Sequence, residues 1–247
     1  MSESEAARAV FWVAGVGASA GLGAALARRF ARAGFIAVVS GRTQQRLEAV
    51  AREIRESGGQ AFAVTADVGN EAEIVAAAKH VSEIGRLEAA VFNAATMLAA
   101  PSLELRASDF EQTLRINVVG GFVFGREVLR ALAAQGRGSL IFTGATASTR
   151  GRPPFAAFAA AKAGVRSLSQ TFAREFGPRG VHVAHVVIDG GIDGERIRRV
   201  APDRVAKSGP DALLSPDAIA EAYFQLHSQP RSAWTQELDL RPYNESF

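Results

Sequence analysis

Three groups of residues in this 247-residue chain have types and spacings that could do chemistry. The first is VGASAGLG, residues 16–23, with glycines at 17, 21 and 23. It lies between an apolar run read as a buried strand and a stretch read as a helix, the context in which such glycines cradle a pyrophosphate. Gly17 would make the tight turn. Gly21 and Gly23 would let backbone approach phosphate and helix approach sheet. The following helix would offer free N–H groups and the positive end of its dipole. The second group is Ser40-Gly41-Arg42, which closes the next apolar run; no acid occurs between Gly23 and Glu48. A carboxylate there would hold a ribose diol and repel a 2′-phosphate, whereas an arginine binds that phosphate through a forked, charge-assisted contact. Ser40 and Thr43 would add hydroxyl donors. This favours NADP over NAD. The third group is Lys162 in FAAFAAAKAG, with Phe158 four residues before it on the same helix face.

The elements that must position these residues alternate along the chain. Strands are expected over 9–14, 35–40, 61–65, 87–92, 139–143, 181–187 and 235–240. Helices are expected over 21–33, 44–57, 71–84, 108 to about 134, 155–176 and 216–227, with Ser108 as a plausible N-cap and Ser215-Pro216 opening the last. The stretch 192–214 reads as polar and irregular or weakly helical. Alternation of this kind predicts right-handed crossovers and an α/β fold: one Rossmann-type domain over 1–247, with a doubly wound parallel sheet of about seven strands and helices on both faces. Ligands bind such sheets at the carboxyl ends of the strands, where the candidate residues fall.

Composition removes several function classes. The chain has no cysteine, so disulfides, thiolate catalysis and Cys-ligated zinc are excluded. Its histidines, His80, His182, His185 and His227, have no metal-ligand spacing. The 28 Lys plus Arg are interleaved with 25 acids, giving a net charge of +3 without a basic block, so nucleic acid is not an expected partner. Residues 9–27 carry no charge, yet four glycines interrupt them and Glu3 and Glu5 spoil a signal-peptide start. Neither a membrane span nor secretion is expected, and the location expected is cytoplasmic.

The glycine spacing at 17, 21 and 23, followed by Lys162 on its helix, resembles the short-chain dehydrogenase/reductase family. That resemblance implies hydride transfer between a nicotinamide cofactor and a carbonyl or alcohol carbon, using an Asn, a Ser, a Tyr and a Lys. Asn117 in RINVVG matches the asparagine that positions a relay water, and Lys162 matches the lysine. The family's tyrosine, its proton donor, stands where this chain has Phe158. The serine that orients the substrate oxygen stands thirteen residues earlier, where this chain has Ala145. Thr146, one place on, is the best substitute for orienting a substrate.

The resemblance also assigns Gly17, Ser19, Gly21, Leu22, Gly23, Ser40, Arg42, Asp67, Val68, Asn93, Lys162 and Ile192 to the cofactor, with Asp67-Val68 at the adenine. Asn93-Ala94-Ala95 departs from the family's NNAG, having Phe92 and Ala95 at its ends. Tyr223 and Tyr243 are the only tyrosines, and enoyl reductases of this family would place theirs at Phe155. Near the end of the sixth strand, VIDGGID replaces a usual Pro-Gly, and a partly protonated Asp189 could substitute as acid. The family's substrate lid corresponds to 193–214, with Arg196, Arg198, Arg199 and Arg204 able to favour an acidic substrate. Its dimers and tetramers are built on the helices expected at 108–134 and 155–176, so a homo-oligomer is expected. Loss of a positioned acid lowers rate by about 10²–10⁴-fold while leaving the cofactor site separate. Three functions follow: an NADP-dependent oxidoreductase with nonstandard or impaired catalysis on an unknown small molecule, a catalytically silent NADP-binding sensor or scaffold, or a non-redox enzyme using the pocket for an elimination or isomerisation.

Overall fold

A computed structural model of the chain describes residues 8–207 and 209–245. Residues 1–7, 208, 246 and 247 lie outside the described residues, Glu3 and Glu5 among them. In chain order the elements are β1 (Ala9–Ala14), α1 (Leu22–Arg32), β2 (Ile36–Gly41), α2 (Gln44–Glu56), β3 (Gln60–Thr65), α3 (Glu71–Ile84), β4 (Arg86–Phe92), α4 (Ala107–Leu114), α5 (Gly120–Gln135), β5 (Ser139–Thr143), α6 (Ala156–Phe176), β6 (His182–Ile188), α7 (Glu195–Val200), α8 (Pro202–Lys207), α9 (Pro216–His227) and β7 (Glu237–Leu240).

The inner strands are buried on both faces because they are apolar on both. β2, β5 and β6 are buried along their whole length. That is the pattern of a parallel sheet covered on both sides. All seven strands pair in parallel in the order β3-β2-β1-β4-β5-β6-β7. Winding reverses between β1 and β4, so a crevice opens at their carboxyl ends.

Two hydrophobic cores flank the sheet. On one face Phe11, Val13, Leu26, Phe30, Leu47 and Tyr223 lock α1, α2 and α9 onto the strands. Phe11 and Phe30 stack with centroids 3.8 Å apart. On the other face Trp12, Ile74, Phe92, Phe124, Phe142 and Phe172 hold α3, α5 and α6. Each such fully buried side chain stabilises the fold by roughly 1.5–3 kcal/mol, which fixes the strand ends that carry the site.

Two local expectations are corrected. The helix expected from Ser108 starts at Ala107, and Arg106 is its N-cap. Arg106 pairs with Asp109 at 2.7 Å, so Ser108 sits inside the first turn. The same helix is interrupted by a wider, π-helical turn over Arg115–Val119 before α5 continues it. Ser215 does cap α9, accepting from Ala218 N–H at 3.4 Å, with Pro216 at the first position. The stretch 192–214, expected to be irregular or weakly helical, holds the short helices α7 and α8. Its ends meet where Ile192 bridges Leu214. Among the described residues no helix is long and apolar enough to cross a membrane, and no group of His, Asp and Glu is placed to hold a metal.

Candidate active site

The glycine turn is built at the carboxyl end of β1. The left-handed residue there is Gly15, with φ +93°, a conformation that favours glycine. A Cβ on Gly15 would lie 2.3 Å from Ala94 N. Gly17 has no such constraint, and a Cβ there would meet no atom within 4 Å. The tight turn therefore belongs to Gly15, and Gly17 leaves the face of the loop open. Gly23 brings α1 down onto the loop, a Cβ there lying 3.1 Å from Gly15 O. Leu22 is buried and anchors that helix start. Gly21 is the N-cap of α1; no side chain caps it, and the first turn has no acid. These are the conditions under which free N–H groups and the helix dipole receive an anion. Asn93 braces the turn: its N–H donates to Ala14 O at 2.9 Å and its Nδ2 to Gly15 O at 3.1 Å.

Arg42, just past β2, is exposed and makes no hydrogen bond or ion pair among the described residues. Thr43 beside it caps α2 without a side-chain hydrogen bond. Ser40 corrects an expectation. It is 1% exposed, and its hydroxyl accepts from Trp12 Nε1 at 2.9 Å and donates to Val13 O at 3.2 Å. The alternation of β2 turns it into the core, so it offers nothing to a phosphate. Ser19 is also engaged, donating to Glu53 Oε2 at 2.5 Å. Asp67 accepts from Gly69 N–H through Oδ1 at 2.8 Å, and Val68 beside it is buried.

At the other end of the crevice, Lys162 lies inside α6, 3% exposed. Its Nζ donates to Thr143 O at 2.8 Å, and no carboxylate pairs with it among the described residues. Burial pushes its amine down to about 8, and repulsion from Arg196 adds to the effect. The Phe158 ring centroid is 5.8 Å from Nζ, within cation–π range. Asn117 is wholly buried in the π-helical turn, a feature often found at functional sites. Its Nδ2 donates to Thr113 O at 2.9 Å and Thr96 O at 3.0 Å, while Oδ1 is enclosed without a hydrogen-bond partner among the described residues. Ala145 follows β5, its N–H donating to Ser148 Oγ at 3.1 Å. The side chains at positions 145 and 158 thus present carbon, whereas Asn117 and Lys162 are polar and buried.

The other candidates separate clearly. Tyr223 is fully buried, and its hydroxyl donates to Thr143 Oγ1 at 3.0 Å; burial raises its phenol further above the usual tyrosine range. It is a packing residue. Tyr243 is 82% exposed. His185 is fully buried with Nδ1 3.0 Å from Glu237 Oε2, and burial pushes its imidazole down to about 4. Arg166 grips the same Glu237 through two 2.6 Å contacts. Asp189, the residue that could substitute as acid, is held by several donors. It is 4% exposed and accepts from Thr146 Oγ1 at 2.5 Å and Arg150 Nη2 at 3.2 Å, with Arg241 at 3.3 Å. These contacts use its carboxylate as an acceptor, while its backbone N–H donates to Leu240 O at 2.8 Å.

The segment from Ile192 passes over the glycine loop, a Cβ on Gly194 lying 3.2 Å from Ala20 O. Glu195 pairs with Arg46 at 3.4 Å and Asp193 with Arg198 at 2.5 Å, while Arg196 and Arg199 are exposed. Arg204's side chain is outside the described residues. Sequence reasoning missed Gly15, Gly41 and Arg150. A Cβ on Gly41 would stand 2.6 Å from Val16 O, a close approach signalled only by a glycine at a strand end. Nothing in the sequence signals Arg150's contact with Asp189.

Strand order, switch point and glycine turn together define a dinucleotide-binding Rossmann protein. A family model described as short chain dehydrogenase matches residues 12–204, and the chain belongs to that family. It is 31% identical over 170 residues to glucose 1-dehydrogenase of Gluconobacter oxydans, covering 68% of this chain and 64% of that protein. It is 30% identical over 222 residues to cis-4-hydroxycyclohexanecarboxylate dehydrogenase of Sinomonas cyclohexanicum, covering 87% and 88%. Among solved structures, a short-chain dehydrogenase from Rhodopseudomonas palustris superposes with a TM-score of 0.82 at 37% identity, over 95% of this chain and 99% of that one. A metagenomic short-chain oxidoreductase solved in complex with NADP gives 0.79 at 26% identity, over 95% and 96%.

Proposed function

We propose that the chain is a cytoplasmic oxidoreductase that prefers NADP and acts on a carbonyl compound or secondary alcohol, with proton transfer weakened by Phe158 and Ala145. When bound, NADP gives or takes the hydride. The uncapped start of α1, with Gly17, Gly21 and Gly23, would hold the pyrophosphate. Arg42 and Thr43 would hold the 2′-phosphate, which an arginine binds better than a carboxylate does. Asp67 and Val68 would meet the adenine, Asn93 would shape the turn, and Ile192 would border the nicotinamide. Lys162 would donate to the ribose. The neighbour named as a complex with NADP supports the cofactor. The relatives named for glucose and for cis-4-hydroxycyclohexanecarboxylate support a hydroxyl-bearing substrate.

The observation that carries the proposal is that Lys162 and Asn117 are buried and directed by hydrogen bonds. Beside them, apolar side chains stand where the proton donor and orienting hydroxyl belong. The same apolar pair favours a second reading, a silent NADP-binding sensor or scaffold. We also propose residues 193–214 as the substrate lid, and a homodimer or homotetramer formed on α5 and α6, where Phe122 is 43% exposed.

The test is the purified chain with NADPH and a broad carbonyl and enone panel, and with NADP⁺ and secondary alcohols. Slow turnover of any member supports the enzyme. NADPH binding with no turnover leaves the silent protein. Equal binding of NADPH and NADH removes the role of Arg42.

A further inference from the structure

We infer that Thr146 is the residue that meets the substrate's oxygen, and that Asp189 holds its hydroxyl as an acceptor, so that the site selects an alcohol over the matching carbonyl compound. This rests on the cofactor site proposed above. Thr146 and Asp189 are far apart in sequence, yet each follows the carboxyl end of a strand, β5 and β6, which are neighbours in the sheet. Their oxygens, Thr146 Oγ1 and Asp189 Oδ1, are 2.5 Å apart.

Three hydroxyls follow Ala145 in this loop, and they are not equivalent. Ser148 is buried, and its Oγ receives Ala145 N–H. Thr149 donates to Thr146 O at 3.0 Å. Thr146 is the half-buried one, and it is tied to a charged group. It stands three residues from Thr143, whose carbonyl receives the Lys162 ammonium. The loop therefore brings Thr146 to the same strand end as Lys162, while the side chains of Ala145 and Phe158 offer no oxygen.

The hydrogen-bond roles follow from proton counting. Asp189 lies between Arg150 and Arg241 and receives donors on both oxygens. A carboxylate so placed only accepts. A threonine hydroxyl has one proton and two lone pairs. With its proton directed at Asp189, in a charge-assisted bond about twice as strong as a neutral one, Thr146 has only lone pairs left for a ligand. An alcohol O–H satisfies them and a ketone does not. Thr146 thus orients substrate, whereas Asp189 and Arg150 are positioning residues.

The experiment compares cyclohexanol with cyclohexanone on the chain loaded with tetrahydro-NADP, an analogue that transfers no hydride, by saturation-transfer NMR. Cyclohexanol is expected to bind roughly three- to tenfold more tightly, the worth of one net hydrogen bond. Thr146→Val should bring the ratio to about one, Thr146→Ser should restore it, and Asp189→Asn should narrow it, since an amide also donates. The wild-type ratio needs no variant, so misfolding of any variant leaves the test standing. A chain that holds the analogue but prefers the ketone, treats the probes alike, or binds neither overturns the inference alone. A ratio unmoved in folded Thr146→Val does the same. Failure to hold the analogue overturns the cofactor proposal with it.

Discussion

The two ends of the crevice differ in what they retain. At the β1–β2 end, backbone glycines, an uncapped helix start and an Arg42 without an ion pair among the described residues remain open toward an anion. At the β5–β6 end, Lys162 and Asn117 persist, but the side chains beside them at 145 and 158 are carbon. On the proposed reading, binding and chemistry would be separable: a phosphate cradle made largely of backbone would not depend on which side chain completes the other end. Lys162 donates to one backbone acceptor, and burial, with repulsion from Arg196, lowers its amine.

Substitutions can break or sharpen this contrast. The largest effect is expected from restoring both hydroxyls. Phe158→Tyr with Ala145→Ser should raise carbonyl reduction by about 10²–10⁴-fold, read as NADPH consumption, with NADPH affinity unchanged. At the other end, Gly15→Ala should cost about 2–4 kcal/mol of stability, because a Cβ meets backbone in a left-handed residue. Gly17→Ala should keep the melting temperature and lose NADPH binding, so the pair separates fold from cradle by calorimetry. Arg42→Ala should weaken NADPH by about 10- to 100-fold and leave NADH nearly unchanged, the scale of a charge-assisted contact.

A smaller effect comes from Lys162. Its folded-state amine titrates at about 8, below the unfolded value of 10.5. Between these values the unfolded chain holds the proton and the native chain does not, so stability rises with pH through that window. The burial penalty is fully present below about pH 8. Lys162→Met should therefore be more stable than wild type at pH 7 by about 1–3 kcal/mol. The gap should close by pH 10.5 in thermal melts, and the variant should bind NADPH more weakly at every pH.

Much of the architecture was legible because the inner strands are apolar on both faces and each is separated from the next by a helix with its own stop signal, such as Gly34 after α1 or Gly177 after α6. What escaped were features set by tertiary contact. The helix begins one residue before Ser108, with Arg106 at its N-cap and paired with Asp109. The π-helical turn that buries Asn117 has no sequence mark. Ser40 at a strand end suggests a ligand contact, but strand alternation aims it at Trp12. The left-handed turn fell on Gly15 rather than Gly17, decided by Ala94 across the sheet. Asp189 was legible as unusual, whereas the arginines that hold it were not, since Arg150 and Arg241 reach it from distant parts of the chain.

The most direct measurement is on the wild-type chain alone: titration of NADPH and NADH by calorimetry, followed in the same sample by hydride transfer to a carbonyl panel. The account predicts that NADPH binds at least about tenfold more tightly than NADH, and that hydride transfer is slow or absent. Failure to bind NADPH, or turnover as fast as that of the Phe158→Tyr/Ala145→Ser variant, would contradict it.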